Sequence, residues 1–224
     1  MKKAAIVSAI FLFMASQASA ANATIAFLKG DVKVKKNNWV KAKMRMSVSE
    51  RTQIKTGKKS MVIIAMADGS KVKMRSNSAI TLNSLSSNGI EVGLQAGGVF
   101  SKVIKQQGAN RFRVRTPTAV AGVRGTEFFV AYGDSIRGKK EKDALMCVNE
   151  GQIEVKGSGS QKVLLNAGEG IVFNKSEKLP APEKLPWLKK FNWSMKTDAS
   201  AADETDVKEA YTSGYKDLRK QNYD

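Results

Sequence analysis

Between Ile25 and Phe173 the chain is a succession of short apolar or alternating runs cut by turn residues, a pattern that leaves few folds open. Met61-Val62-Ile63-Ile64-Ala65-Met66 and Val72-Lys73-Met74 flank Asp68-Gly69, and both positions of that dipeptide favour the positive φ of a two-residue hairpin. Asn88-Gly89 repeats the device between Leu82 and Ile90-Glu91-Val92, while Asn37-Asn38 and Gly157-Ser158-Gly159 mark further reversals. Strands about 8 to 12 residues apart with no helical stretch between them predict an all-β body, either a jelly roll or β-sandwich or a β-roll. Gly30-Asp31-Val32-Lys33-Val34, Gly98-Val99-Phe100-Ser101-Lys102-Val103 and Gly151-Gln152-Ile153-Glu154-Val155 each set a glycine before a strand. The first is followed by Ile54-Lys55-Thr56-Gly57 and the last by Leu165-Asn166-Ala167-Gly168, which predicts an internal quasi-repeat winding similar strand pairs around one core.

After Phe173 the character changes. Lys178-Leu179-Pro180-Ala181-Pro182 and Pro186 predict an extended linker, because each proline fixes φ and disfavours helix in the residue before it. Leu185, Trp187, Leu188, Phe191 and Trp193 are too apolar to stay in water and are expected to dock on the body. From Ala199 to Tyr223 the chain reads as a short polar helical tail, in which Val207, Tyr211, Tyr215 and Leu218 form a thin apolar stripe. Residues 21–175 are thus expected to be the β domain and 176–224 a proline-containing linker and tail.

The other end carries a different signal. Lys2 and Lys3, an apolar run from Ala4 to Ala15 broken by Ser8, and the small-residue triplet Ala18-Ser19-Ala20 have the layout of a secretory signal peptide cleaved after Ala20. The apolar stretch is shorter than the roughly 20 residues of a bilayer span. A second run of that length does not follow, so the expected mature chain is periplasmic or secreted and has no transmembrane segment.

Composition narrows the chemistry. The 224 residues include no histidine, which removes Ser/His and Cys/His catalytic arrangements and imidazole-based zinc sites. The single cysteine, Cys147 in Leu145-Met146-Cys147-Val148, cannot make an internal disulfide and reads as a small buried hydrophobe. No Ser/Lys dyad or carboxylate pair is placed for catalysis, and no cofactor or metal is expected. Asp134, Glu141 and Asp143 share the stretch Gly133 to Asp143 with Arg137, Lys139, Lys140 and Lys142, which predicts a solvated, mobile loop rather than a calcium site.

The formal net charge is +18, and residues 181–224 contribute nothing to it, so the body is strongly basic and the tail neutral. Many of the cations alternate with apolar residues: Lys33 and Lys35, then Lys71, Lys73 and Arg75, then Arg111, Arg113 and Arg115. Alternation puts the cations of each run on one side of a strand. Two readings follow: solvation of a sheet's outside against edge pairing, or one positive surface for anionic envelope material such as lipid headgroups, lipopolysaccharide phosphates or cell-wall polymers. Specific nucleic-acid binding is not expected, since no recognition helix or aromatic single-strand motif is present.

The densest motif is Phe112-Arg113-Val114-Arg115-Thr116-Pro117-Thr118-Ala119-Val120-Ala121-Gly122-Val123-Arg124-Gly125-Thr126-Glu127-Phe128-Phe129-Val130. Proline ends one strand at Thr116-Pro117, Ala119, Ala121 and Gly122 are small enough for close backbone approach, Gly125 supplies a turn, and Thr126 starts a new strand. Arg124 has two readings, an ion pair with Glu127 that pins the turn, which a lone Arg-Gly-Thr corner favours, or a ligand-reading arginine.

This stretch resembles the FecR domain family, in which a strand runs through a Thr-Pro-x-Ala turn to Val-Arg-Gly-Thr-x-Phe and a further strand. Ile54-Lys55-Thr56-Gly57 with Ser60, Asp68-Gly69-Ser70, and Leu94 to Phe100 extend the resemblance over about residues 25 to 175. The resemblance implies an extracytoplasmic β domain. Its namesake relays a ferric-citrate transporter's state across the inner membrane to a sigma factor, through a cytoplasmic segment and a transmembrane helix that are not expected in this chain. What it implies here is a freestanding, exported, non-enzymatic binding or adaptor module whose partner is an envelope protein, or else an anionic envelope polymer.

Overall fold

The structure, a computed structural model, describes residues 23–86, 88–105, 111–123, 125–133, 136–137, 141–157 and 159–221. The expected leader lies outside these residues, as do Arg124 and the Asp134, Lys139 and Lys140 of the charged loop. The first strands are β1 (Ala23–Lys29), β2 (Val32–Lys35), β3 (Trp39–Lys41), β4 (Ser47–Val48), β5 (Gln53–Thr56), β6 (Met61–Ala65), β7 (Lys71–Met74), β8 (Ala79–Ser86) and β9 (Gly89–Lys102). They continue with β10 (Arg111–Arg115), β11 (Val120–Val123), β12 (Glu127–Gly133), β13 (Asp143–Glu150), β14 (Gln152–Lys156), β15 (Lys162–Asn166), β16 (Glu169–Asn174) and β17 (Glu183–Lys184). Two 3-10 turns, Pro186–Lys190 and Ala199–Ala201, and the helix α1 (Val207–Gln221) follow. Strands make up 52% of it, which makes the fold all-β with a short helical tail.

Two sheets face each other. Sheet A runs β4-β1-β6-β7-β9-β12-β13-β16-β17 and is antiparallel throughout. Sheet B runs β3-β2-β5-β8-β9-β10-β11-β14-β15, with β9 and β10 parallel. The long strand β9 belongs to both: Gly89 to Ala96 pairs in sheet B and Gly97 to Lys102 in sheet A. Between the sheets lies the main core, built from alternate residues such as Ile25, Val62, Val99, Phe128 and Met146 of sheet A and Val34, Ile54, Leu82, Val92, Val114 and Val155 of sheet B. Burial of each such side chain contributes about 1.5 to 3 kcal/mol.

The predicted quasi-repeat takes a definite form. In the first unit β1 and β6 pair in sheet A while β2 and β5, their continuations past a bend, pair in sheet B. In the last, β13 and β16 pair in sheet A while β14 and β15 pair in sheet B. Each unit is a long hairpin folded across the sandwich, and Asp68-Gly69 closes the simpler hairpin between β6 and β7.

The outer face of sheet A is dry as well. Leu185, Trp187, Leu188, Phe191 and Met195 pack on Phe100, Phe129, Ala131, Leu145 and Cys147, with Val207, Ala210 and Tyr211 of α1 joining the cluster. Phe129 and Phe191 lie 4.9 Å apart between ring centroids, and Trp187 and Tyr211 6.3 Å. The tail from Glu183 to Ala210 is therefore a strap across sheet A. That is why β6, β12 and β13 are buried on both faces. Among the described residues no helix is long and apolar enough to cross a membrane.

Candidate functional site

The residues most marked in the sequence lie at the bends between the sheets. Gly30 separates β1 of sheet A from β2 of sheet B, Gly151 separates β13 from β14, and the bend of β9 falls at Gly97, one residue before the expected Gly98. Neighbouring bends are laced by hydrogen bonds. Asp31 N donates to Ser60 Oγ at 2.8 Å, Gly57 N to Asp31 O at 2.9 Å and Asn77 N to Gly57 O at 3.0 Å. Thr56 Oγ1 accepts from Ser78 N at 2.9 Å and donates to Arg75 O, while Ser78 Oγ accepts from Gly98 N at 3.0 Å. Ile54-Lys55-Thr56-Gly57 and Ser60 thus form a seam that satisfies backbone groups where the ladders are interrupted.

The long motif resolves the same way. Thr116-Pro117-Thr118-Ala119 is the turn between β10 and β11, closed by Thr116 N donating to Ala119 O at 2.8 Å. Thr116 Oγ1 accepts from Ala119 N at 3.1 Å and Thr118 N at 3.3 Å, so one buried hydroxyl serves two backbone donors. Thr116→Val is expected to cost about 1 to 2 kcal/mol, read as a lower urea midpoint with an unchanged m-value. Gly125 makes the next bend at φ +70°, Thr126 Oγ1 donates to Gln152 O at 2.9 Å, and Val123 and Phe128 enter the core. Glu127 is buried and held by Lys102 Nζ at 3.5 Å and Asn149 Nδ2 at 2.6 Å. Its expected partner Arg124 is outside the described residues.

Gly122 corrects the expectation of close approach. A Cβ there would meet nothing nearer than Glu154 O at 3.8 Å, because the residue faces outward from sheet B. The charged loop differs from expectation too. Asp143 is fully buried, accepting from Arg137 Nη2 at 2.7 Å and Arg137 N at 3.0 Å, and the same guanidinium reaches Glu177 at 2.7 Å. A basic-looking loop thus closes on a buried carboxylate. Cys147 is buried as expected, and that burial raises its thiol pKa and suppresses thiolate chemistry.

The three basic runs do not form one surface. Lys33 and Lys35 project from the outer face of sheet B on β2, and Arg113 and Arg115 from the same face on β10, with β5, β8 and β9 between. Arg113 and Arg115 converge on Glu91, at 3.4 and 2.9 Å, and the Arg115 hydrogen bond holds that carboxyl below its ordinary range. Arg111 opens β10. The third run is on sheet A, under the strap.

There the expectation of a solvent-facing cation fails outright. Lys73 is 1% exposed, because alternation points it at the face that the tail covers. Its Nζ donates to Asn192 O at 2.5 Å, Ser194 O at 2.9 Å and Ala201 O at 3.0 Å, and sits 4.3 Å from the Phe100 ring centroid. Burial lowers its pKa to about 8, against the opposing pull of Asp203 and Glu127. Arg75 pairs with the buried Asp203 at 3.3 Å and donates to Thr205 O, and Lys71 reaches Met195 O at 3.4 Å. Lys71, Lys73 and Arg75 are therefore a clamp for the strap. Sequence reasoning missed this, though the hint was present: the tail is richer in acids than the body and carries aromatic residues that need a face.

Seams, turn and clamp define a β-sandwich of folded-over hairpins whose sequence motifs are structural bends, with one face strapped and one open. Residues 52–154, from the lead into β5 to the middle of β14, match the family model described as FecR protein. Two crystal structures of a candidate anti-sigma factor from Parabacteroides distasonis ATCC 8503, at 1.65 and 2.50 Å resolution, are similar at 19% identity and a TM-score of 0.49. The likeness covers 59% of this chain and 59% of each of theirs. A comparison with curated proteins finds no match.

Proposed function

We propose that this chain is an exported FecR-domain protein that works by binding, as an adaptor or signalling module in the periplasm or cell envelope, and not by catalysis. The family match over residues 52–154 supports a regulatory role, and the leader-like residues 1–20 support export with cleavage after Ala20, leaving a domain from 21 to about 175 and a tail beyond it. One observation carries the binding reading: the tail closes the outer face of sheet A, while the outer face of sheet B is left open from Thr81 and Gln95 to Lys156 and Leu164. A partner protein of the envelope meets that face or its edge strand β15, where Leu164 is exposed and, among the described residues, β14 is the one strand paired with it.

Photo-crosslinking residues placed at Thr81, Gln95 and Lys156, with Lys189 on the strapped side as the comparison, test this in intact cells. The expected result is one envelope protein captured from the sheet B positions and not from Lys189, by a chain whose N-terminus begins after Ala20. Capture from Lys189 alone, or recovery of the chain from the cytosol with its first twenty residues intact, would overturn the reading.

A further inference from the structure

The hairpin β2–β3 and the turn after it carry a surface that the adaptor reading does not use. Between Val32 and Ser49 the sequence has six cations, Lys33, Lys35, Lys36, Lys41, Lys43 and Arg45, and no acid. All six are exposed, and among the described residues the one ion pair any of them makes is Lys33 with Asp31 at 3.6 Å. Strand pairing brings cations together rather than separating them: Lys33 lies opposite both Lys41 and Lys55. Like charges directly opposite on neighbouring strands destabilise a sheet, so the arrangement costs stability until an anionic surface offsets it.

The same hairpin exposes apolar bulk. Trp39 is 37% exposed, Val40 38% and Met44 50%, three of the largest exposed apolar side chains of the described residues, gathered within six positions. They are held out by fixed backbone. Lys36 N donates to Asn38 O at 3.1 Å across the hairpin tip, and the turn bearing Met44 is tied down by Arg45 N to Ile25 O at 2.8 Å and Ile25 N to Met46 O at 3.0 Å. Lys55 Nζ stands 4.6 Å from the Trp39 ring centroid, so the indole is already bordered by a cation. Beside the hairpin Lys35, Lys36, Ser47, Ser49 and Arg51 line an open groove of about 400 Å³ in which Glu50 is the single acid.

From this geometry we infer that the β2–β3 hairpin and the turn after it dock the protein on an anionic phospholipid surface, with Trp39 and Met44 entering the interface and the surrounding cations meeting headgroup phosphates. Tryptophan prefers the headgroup level, and each lysine or arginine near an anionic leaflet strengthens attachment about five-fold. A soluble polyanion accounts for the lysines but has no use for an exposed methionine beside a tryptophan, whereas a bilayer takes both. The inference stands whether or not sheet B carries a signalling partner.

The isolated protein is mixed with vesicles of phosphatidylcholine alone, or of phosphatidylcholine and phosphatidylglycerol in equal parts, and sedimented. It is expected to partition to the anionic vesicles and not to the neutral ones, and to be released by high salt. Lys35→Gln with Lys41→Gln should weaken partitioning roughly 25-fold. Trp39→Ser with Met44→Ser should weaken it at least about ten-fold and abolish the vesicle-induced blue shift of tryptophan emission, with the far-ultraviolet circular dichroism unchanged. Both variants keep every other segment of the chain, so the differences belong to the hairpin. Retention on heparin and vesicles alike that is indifferent to Trp39 and Met44 would mean a soluble-polyanion site and overturn the inference. So would a failure to sediment with anionic vesicles at low salt.

Discussion

Replacing Lys73 with methionine is expected to destabilise the protein by about 2 to 4 kcal/mol at neutral pH, lowering Tm by roughly 10 °C. Methionine fills the space and keeps contact with Phe100, but it leaves the carbonyls of Asn192, Ser194 and Ala201 without the donor that now gathers them. The strap should loosen first, seen as a red shift of Trp187 and Trp193 emission and as faster proteolysis at Lys189 and Lys190. The pH dependence gives a second readout. Burial lowers the Lys73 pKa to about 8 from 10.5 in the unfolded chain, so between these values the unfolded state binds more protons than the native one. The stability contributed by this group is therefore fully present above 10.5 and lost as pH falls through 8. Urea unfolding of the wild type and of Lys73→Met across pH 7 to 10.5 should show a gap that widens with rising pH, by at most about 1.4 kcal/mol per unit. The subtraction removes the titration of the other lysines and of the tyrosines. A gap that stays constant over that range would show that the ammonium is not desolvated and that the clamp is a surface contact.

The same residue shows where sequence reading reached and where it stopped. Turn chemistry marked the hairpins at Asp68-Gly69 and Asn88-Gly89, although between β6 and β7 the positive φ falls on Gly69 alone and the loop, closed by Met66 N donating to Ser70 O, is longer than the expected two residues. The bends were legible as echoes of glycine before a strand, since a chain that crosses between sheets needs the same local device each time. Which face of a strand is outside was not legible, because period-two alternation separates the two faces without saying what covers each. For Lys33 and Lys35 the polar side meets water, and for Lys73 it meets a strap 120 residues further along the chain. The unbroken apolar run Met61 to Ile64 was the better indicator, since a strand dry on both sides implies a covered outer face. The docking of Trp187 and Phe191 was expected from their bulk, yet their target could not be named until β9 and β12 were paired and brought Phe100 beside Phe129 at 4.6 Å. The acid-free stretch from 32 to 49 was visible from the start, but its meaning depends on Lys33 facing Lys41 and Lys55, which is a matter of register.

The bend in β9 supports the second large effect. Gly97→Ala is expected to cost about 4 kcal/mol or more, enough to leave much of the protein unfolded at 37 °C. Its φ of +83° disfavours any side chain by about 1 to 2 kcal/mol. A Cβ built there would also lie 2.6 Å from Ser78 Cα and 2.7 Å from Asn77 O, backbone atoms that cannot yield without breaking the seam. Ser78 matters most, because its hydroxyl accepts from Gly98 N and its amide donates to Thr56 Oγ1, so displacing it undoes the bends of β5, β7 and β9 together. Gly122→Ala is the matched comparison: its Cβ has room, and a mid-strand alanine orders the chain at a smaller entropic cost, so the change should be neutral or stabilise by up to about 1 kcal/mol. Thermal and urea unfolding of both variants, with near-ultraviolet circular dichroism to follow the aromatic cluster, separates the two. Since β9 carries hydrogen bonds of both sheets, loss at Gly97 should remove the cooperative transition of the whole body and not of one sheet alone. Equal, small effects at the two glycines would mean that the bend tolerates a side chain and that β9 is not the joint on which the sandwich depends.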